Sequence, residues 1–194
     1  MPTIEKSIFS LLNKVSHQNK NQIVVNLTDL LKDIHAIDTF IDKLFDKCIT
    51  ESNFTELYVE IIYETLVSIR PQHPELAKDI YRSLIIRSQK EFEGNVNVDN
   101  RIDKVSCTRF IAQLTNRKFI NPKLLHDIII GLLSSNNQYK YELACILILE
   151  VDNDIIRSAN RGDDFGAPLT QTEGVCKRIQ FMMEDAKLNL FHQT

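Results

Sequence analysis

The stretch IDTFIDKLFDKCITESNFTELYVEIIYETLVSI, Ile37 to Ile69, decides the fold. In its first half Ile37, Phe40, Ile41, Leu44, Phe45 and Cys48 recur at the i, i+3, i+4 spacing that lines one face of an α-helix. In its second half Phe54, Leu57, Tyr58, Ile61, Ile62, Leu66 and Ile69 repeat the pattern. The short polar link between them makes a helix pair. A lone amphipathic helix leaves its stripe in water, so such pairs reach stability by stacking on one another.

The same pattern extends in both directions. Towards the N-terminus, Ile8, Leu11, Leu12 and Val15 share one face, and Ile23, Val24, Leu27, Leu30, Leu31 and Ile34 make a second helix. Pro71 and Pro74 then break the chain, and a third unit runs over Glu75 to Phe92 and, after the polar loop 93–100, over Arg101 to Arg117. Its second helix carries Ile102, Val105, Phe110, Ile111 and Leu114. Asn121 is placed to cap the next helix, with Pro122 in the first turn, followed by Leu124, Leu125, Ile128, Ile129, Leu132 and Leu133. Glu142 to Val151, with Cys145 to Leu149 continuously apolar, reads as a helix buried on several sides, or as a strand from its β-branched content. A loop at Arg161 to Gly174 is long enough to suggest mobility or a functional surface. The last helix, Val175 to Leu190, turns Val175, Ile179, Met182, Met183 and Ala186 inward.

The repeating units measure roughly 30 to 45 residues, the range of HEAT-type repeats. The expected fold is all-α, a right-handed solenoid of about five HEAT-like helix pairs. It forms a single domain over residues 4–190 with a short tail at 191–194. Its expected core includes Phe45, Ile61, Leu84, Phe110, Leu132 and Met182.

Composition narrows the class further. The chain has 194 residues, 43% hydrophobic and 25% charged, as an ordinary globular protein does. It contains no apolar run of the ~18 residues that a membrane helix needs and opens without a signal-peptide stretch, so a cytoplasmic location is expected. In that reducing setting Cys48, Cys107, Cys145 and Cys176 are expected to be free, buried thiols. The net charge of −3 is uneven: residues 1–70 hold 7 basic and 10 acidic side chains, 71–130 hold 10 and 7, and 131–194 hold 6 and 9. The ends are acidic and the middle mildly basic, which gives weak support for RNA contact there.

Catalytic and metal-binding patterns are missing from the sequence. His17, His35, His73, His126 and His192 are scattered, and no zinc-site spacing, phosphate loop, dinucleotide fingerprint or nucleophile elbow occurs. His126 and Asp127 are helix neighbours about 100° apart, the wrong geometry for an acid–base dyad. Asp38, Asp42 and Asp46 form a carboxylate row, either a solvated face or a strip for a basic partner. No enzyme activity, metal or cofactor is expected.

Four segments together carry a family resemblance: LNKVS at Leu12 to Ser16, KCITESNFTELY at Lys47 to Tyr58, RSQKEFE at Arg87 to Glu93, and RIQFMMEDAKLNL at Arg178 to Leu190. In this order they resemble the middle domain of the translation initiation scaffold family of initiation factor four-gamma. TRFIAQLTNRKFINPKLLHDIIIGLL, Thr108 to Leu133, is similar to the passage from the third to the fourth repeat, with Ala112 where glycine is usual. Departures are Ser52 for the usual proline, a short loop at 94–100, Asn189 for the usual arginine, and the lack of any Trp. No cap-binding-protein or poly(A)-binding-protein motif flanks the matched region.

The resemblance implies a monomeric scaffold that holds and stimulates a DEAD-box RNA helicase of the initiation factor four-alpha type, with weak RNA contact as a secondary feature. It places the partner contacts at Asn13 and Lys14, at Glu51, Asn53 and Phe54, and at Arg178 and Asp185. Alternatives are a helicase scaffold of splicing, mRNA decay or deadenylation, and a general HEAT-repeat interaction module.

Overall fold

Periodicity becomes helix nearly everywhere it was read. The computed structural model describes residues 3–160, 162 and 164–191, and among them the chain forms ten α-helices, two 3-10 turns and no strand. Arg161, Asp163 and the tail residues 192–194, His192 included, lie outside the described residues. Two compact units divide the chain after Gly94.

The first unit contains α1 (Ile4–Leu12), α2 (Lys20–Leu30), α3 (His35–Thr50), α4 (Thr55–Ile69) and α5 (Pro74–Phe92). Helix α3 packs on both α1 and α5, while α2 packs on α4, so each apolar stripe faces another. Phe40, Leu44, Phe45, Leu57, Ile61, Ile80 and Leu84 are fully enclosed. The expected break falls between α4 and α5, at residues 70–73, and Pro74 closes it. It starts α5 at the first helical position, where its missing N–H removes no hydrogen bond.

The motif RSQKEFE closes α5, and its arginine holds the helix to α3. Arg87 donates from Nε to Asp42 Oδ1 at 2.9 Å and from Nη1 to Glu91 Oε2 at 2.9 Å, and its guanidinium carbon lies 4.5 Å above the Phe45 ring. One turn earlier Ser83 Oγ donates to Asp38 at 3.2 Å. Two members of the carboxylate row therefore bind α5 from within the molecule. Ser88 is buried and donates to the Leu84 carbonyl at 2.8 Å, which satisfies its hydroxyl inside the apolar contact.

The second unit contains α6 (Arg101–Asn116), α7 (Pro122–Leu133), α8 (Gln138–Glu150), α9 (Asn153–Ala159) and α10 (Lys177–Phe191). Helix α8 lies between α6 and α10 and also contacts α7, so it is buried all round from Tyr141 to Ile148. The expected cap is present: Asn121 Oδ1 accepts from the Leu124 N–H at 2.9 Å. Helix α6 ends in a Schellman turn, with Phe119 N–H bonded to the Leu114 carbonyl and Lys118 N–H to that of Thr115, and Lys118 takes the left-handed position at φ 63°.

Several positions differ from the expectation. Met182 is only half-buried, with its sulfur 3.5 Å from Arg178 Nη1. The inward line of α10 is Ile179, Met183 and Ala186, which leaves Met182 at its edge. Ile34 is 61% exposed because it sits in the turn before α3, and Ile102 is 73% exposed because α6 turns that side away from α8. Cys48, Cys107 and Cys145 are buried, whereas Cys176 is exposed just before α10. Helix α9 was read as part of no helix; at Asn153–Ala159 it is too short for periodicity to register. The long loop is anchored rather than loose over its described part. Phe165 and Leu169 are buried, and Phe165 N–H donates to Asn160 Oδ1 at 3.1 Å.

Two stability predictions follow from these local geometries. Arg87→Ala should lower stability by about 1–2 kcal/mol in urea denaturation, and Arg87→Lys should recover only part of it, since ammonium lacks the planar fork that reaches two carboxylates and stacks on a ring. At position 118, relief of the left-handed penalty of about 1 kcal/mol competes with glycine's extra chain entropy. Melting temperatures should therefore rank Lys118→Gly at or above the natural residue and Lys118→Val clearly below it.

Candidate functional site

The turn between α3 and α4 is built to display two residues. Glu51 ends α3 with its N–H on the Lys47 carbonyl at 2.8 Å, and a 3-10 turn at Ser52–Phe54 carries the chain into α4. The Glu51 carboxylate accepts from Lys47 Nζ at 2.5 Å and from the buried Tyr58 hydroxyl at 2.6 Å. Lys47 first and then Tyr58 hold that carboxyl below the usual glutamate range, while burial and then Glu51 push the phenol well up. Thr55 Oγ1 reaches back to the Cys48 carbonyl at 3.3 Å. Both ends of the turn are thus fixed, and between them Asn53 is exposed and Phe54 is 49% exposed. Phe54 is not in the apolar stripe of α4 because the 3-10 turn shifts it out of register.

Asn13 and Lys14 lie in the turn after α1. The Asn13 N–H bonds the Phe9 carbonyl at 3.0 Å, and both side chains are exposed. Asn19 pins this turn by donating to the Lys14 carbonyl at 2.5 Å and accepting from Ser16 N–H at 2.9 Å. The turn and the Glu51–Phe54 corner belong to one unit, linked through the packing of α1 on α3.

The residues expected at the far end differ from each other. Asp185 is exposed on α10. Arg178 is half-exposed, but its Nη1 donates at 2.8 Å to Glu142 Oε1, whose side chain is 3% exposed. Arg101 reaches the same carboxylate from α6, with Nε to Oε2 at 2.7 Å and Nη2 to Oε1 at 2.6 Å. Burial pushes the Glu142 carboxyl up, yet hydrogen bonds from the two arginines outweigh it and hold it below its ordinary 4.5. Three helices meet on this one buried charge. Sequence reasoning missed it, because Glu142 reads as the polar start of an apolar run.

His126 faces not Asp127 but the Ala159 carbonyl, 3.1 Å from Nδ1, and Asp164, 3.8 Å from Nε2, and it stacks on Phe165 at 5.6 Å. It borders a cleft of about 470 Å³ with Asn121, Lys123, Ser158 and Asp164, and it ties the loop to α7. Among the described residues no cluster of His, Cys, Asp and Glu is placed to hold a metal, and no helix is long and apolar enough to cross a membrane.

Residues 5–187 match the family described as the MIF4G domain. The chain belongs to the MIF4G domain family. It is similar to mouse eukaryotic translation initiation factor 4 gamma 1, 24% identical over 229 aligned residues that cover 93% of the chain, and to human eukaryotic translation initiation factor 4 gamma 3, 23% identical over 224. The chain spans only 14% of the length of each of these relatives. In structure it is similar to the MIF4G domain of Trypanosoma cruzi translation initiation factor EIF4G5, with a TM-score of 0.63, 14% identity, and coverage of 98% of this chain and 96% of the other. That likeness extends the shared helical fold over the whole MIF4G domain.

Within this MIF4G domain, Asn189 donates to the Ile148 carbonyl at 3.0 Å and fastens α10 to α8. Glu142 fastens the start of the same contact. Replacing Glu142 by Gln should lower stability by about 1–3 kcal/mol at neutral pH, the lower end reflecting two arginines that can rehydrate. A carboxyl with a depressed folded pKa stabilises above its ordinary value and loses that contribution as pH falls. The gap between wild type and Glu142→Gln should therefore close below pH 4.5, as thermal melts across pH would show.

Proposed function

We propose that this domain is a non-enzymatic translation initiation scaffold that binds and stimulates a DEAD-box RNA helicase of the initiation factor four-alpha type. The observation that carries the reading is the fixed turn at Glu51–Phe54: it presents Asn53 and a half-exposed phenylalanine on a rigid support, within a domain of the MIF4G family. Such a site needs no chemistry of its own. A scaffold that binds one arrangement of the two helicase lobes better than others shifts the population towards it by its differential affinity. Stacked helices suit the task, since within each unit they hold contact points at fixed spacing.

Roles divide among the seven candidate residues. Asn13, Lys14, Asn53, Phe54 and Asp185 contact the partner, Glu51 positions the turn beneath Asn53 and Phe54, and Arg178 acts mainly through Glu142. Weak RNA contact fits the exposed Lys118 and Lys123 of the second unit and, separately, the exposed Arg82 of the first, whereas Lys78 there is already paired with Glu75 at 3.4 Å. The native setting of the reading is the cytoplasm, with the domain acting as a monomer and without a cofactor.

The test is calorimetric titration with an initiation-type helicase, joined to its ATP turnover. Asn53→Ala, Phe54→Ala and Lys14→Ala should each leave the melting temperature nearly unchanged, while at least one of the first two weakens binding by more than about 1 kcal/mol. Arg178→Ala should reduce stability more than affinity. If the wild-type domain neither binds nor stimulates the helicase, the proposal fails and a general HEAT-repeat interaction role replaces it.

A further inference from the structure

Helices α2 and α10 treat solvent differently. Helix α2 turns Asn21, Gln22, Asn26 and Asp29 outward around a single exposed apolar side chain, Val25. Helix α10 buries Ile179, Met183 and Ala186 on its inner side, and on its outer side exposes Phe181 by 64% and Leu188 by 53%. These two lie seven residues apart, two helical turns, so both fall on one line. At the turn between them that line is flanked by the exposed carboxylates of Glu184 and Asp185. The result is an exposed seam, apolar at both ends and acidic in the middle.

We propose that this seam docks an amphipathic helix of a partner protein, one that sets a Lys or Arg between two large apolar residues a heptad apart. Charge decides the occupant. A second copy of α10 covers both apolar residues either antiparallel, about a two-fold axis between positions 184 and 185, or parallel, and either way four carboxylates come together. An anionic membrane surface meets the same carboxylates. A helix with a central basic residue covers the apolar ends and offsets the acidic middle at once, the groove-and-ridge mode of helix recognition with charge setting the register. The proposal stands apart from the helicase reading and shares with it only Asp185.

The probe is a synthetic fluorescent helical peptide of about three heptads. It carries two leucines seven positions apart with arginines three and four positions after the first, and a control peptide has glutamates in place of the arginines. In fluorescence anisotropy the arginine peptide should bind and the glutamate peptide should not. Phe181→Ser and Leu188→Ser, both on the surface, should keep the melting temperature and weaken binding at least tenfold. The pair Glu184→Lys and Asp185→Lys should reverse the preference to the glutamate peptide. Failure of the arginine peptide to bind, binding undiminished in Phe181→Ser, or absence of the reversal would each overturn the proposal. So would a concentration-dependent dimer in sedimentation that Phe181→Ser abolishes, since it would assign the seam to a second copy. Helicase affinity in Phe181→Ser and Leu188→Ser separates this result from the scaffold reading, because neither residue belongs to the helicase contacts.

Discussion

An amphipathic helix exposes its apolar stripe unless another helix covers it, and nearly every feature of this protein answers that constraint. The answer is stacking, and stacking needs a register. Apolar surfaces alone are tolerant of sliding, since the hydrophobic effect is non-directional. Directional bonds between neighbouring helices remove that freedom. They recur at nearly constant separation: Asp38 with Ser83 and Asp42 with Arg87 at 45 residues, then Arg101 with Glu142, Arg109 with Glu150, and Asn189 with the Ile148 carbonyl at 41. Each separation is one repeat length. The polar bonds thus count repeats while the apolar stripes supply the bulk of the burial.

Burial concentrates these bonds where they matter most. Glu142 sits on a helix that is enclosed on all sides, so its charge is tolerated only because arginines from the helices on either side converge on it. Arg87 works at a partly open site, and its value lies in reaching two carboxylates and an aromatic face together. Of these three arginines, Arg87 and Arg178 occupy segments that carry the family resemblance. Family likeness in such segments reports the repeat-to-repeat joint as well as any partner contact.

Function then depends on what remains after the joints are made. The turn at Glu51–Phe54 uses its charged residue internally and leaves an amide and an aromatic ring exposed on a fixed support. The carboxylate row of α3, a candidate docking strip when read in one dimension, is partly occupied by α5. Arg178, placed at an interface by resemblance, is in the first instance part of the Glu142 cluster.

Reading the residues alone was enough to find most of the helices, most of their inward faces and the likeness to a family. Periodicity is local: Phe45, Ile61, Leu84, Phe110 and Leu132 declare their burial through neighbours three and four positions away. It failed where the stripe was too short, as in α9, or where a turn shifted the register, as at Phe54, or where two candidates sat side by side, as Met182 and Met183 did. What only the tertiary structure decided is which polar residues are free to act. Whether a carboxylate or guanidinium faces water or a partner inside the molecule depends on a side chain some 36 to 45 residues away, a relation that no local pattern encodes. Stacking brings those residues together, and stacking is the step at which Arg178 became mainly structural and Asn53 remained available.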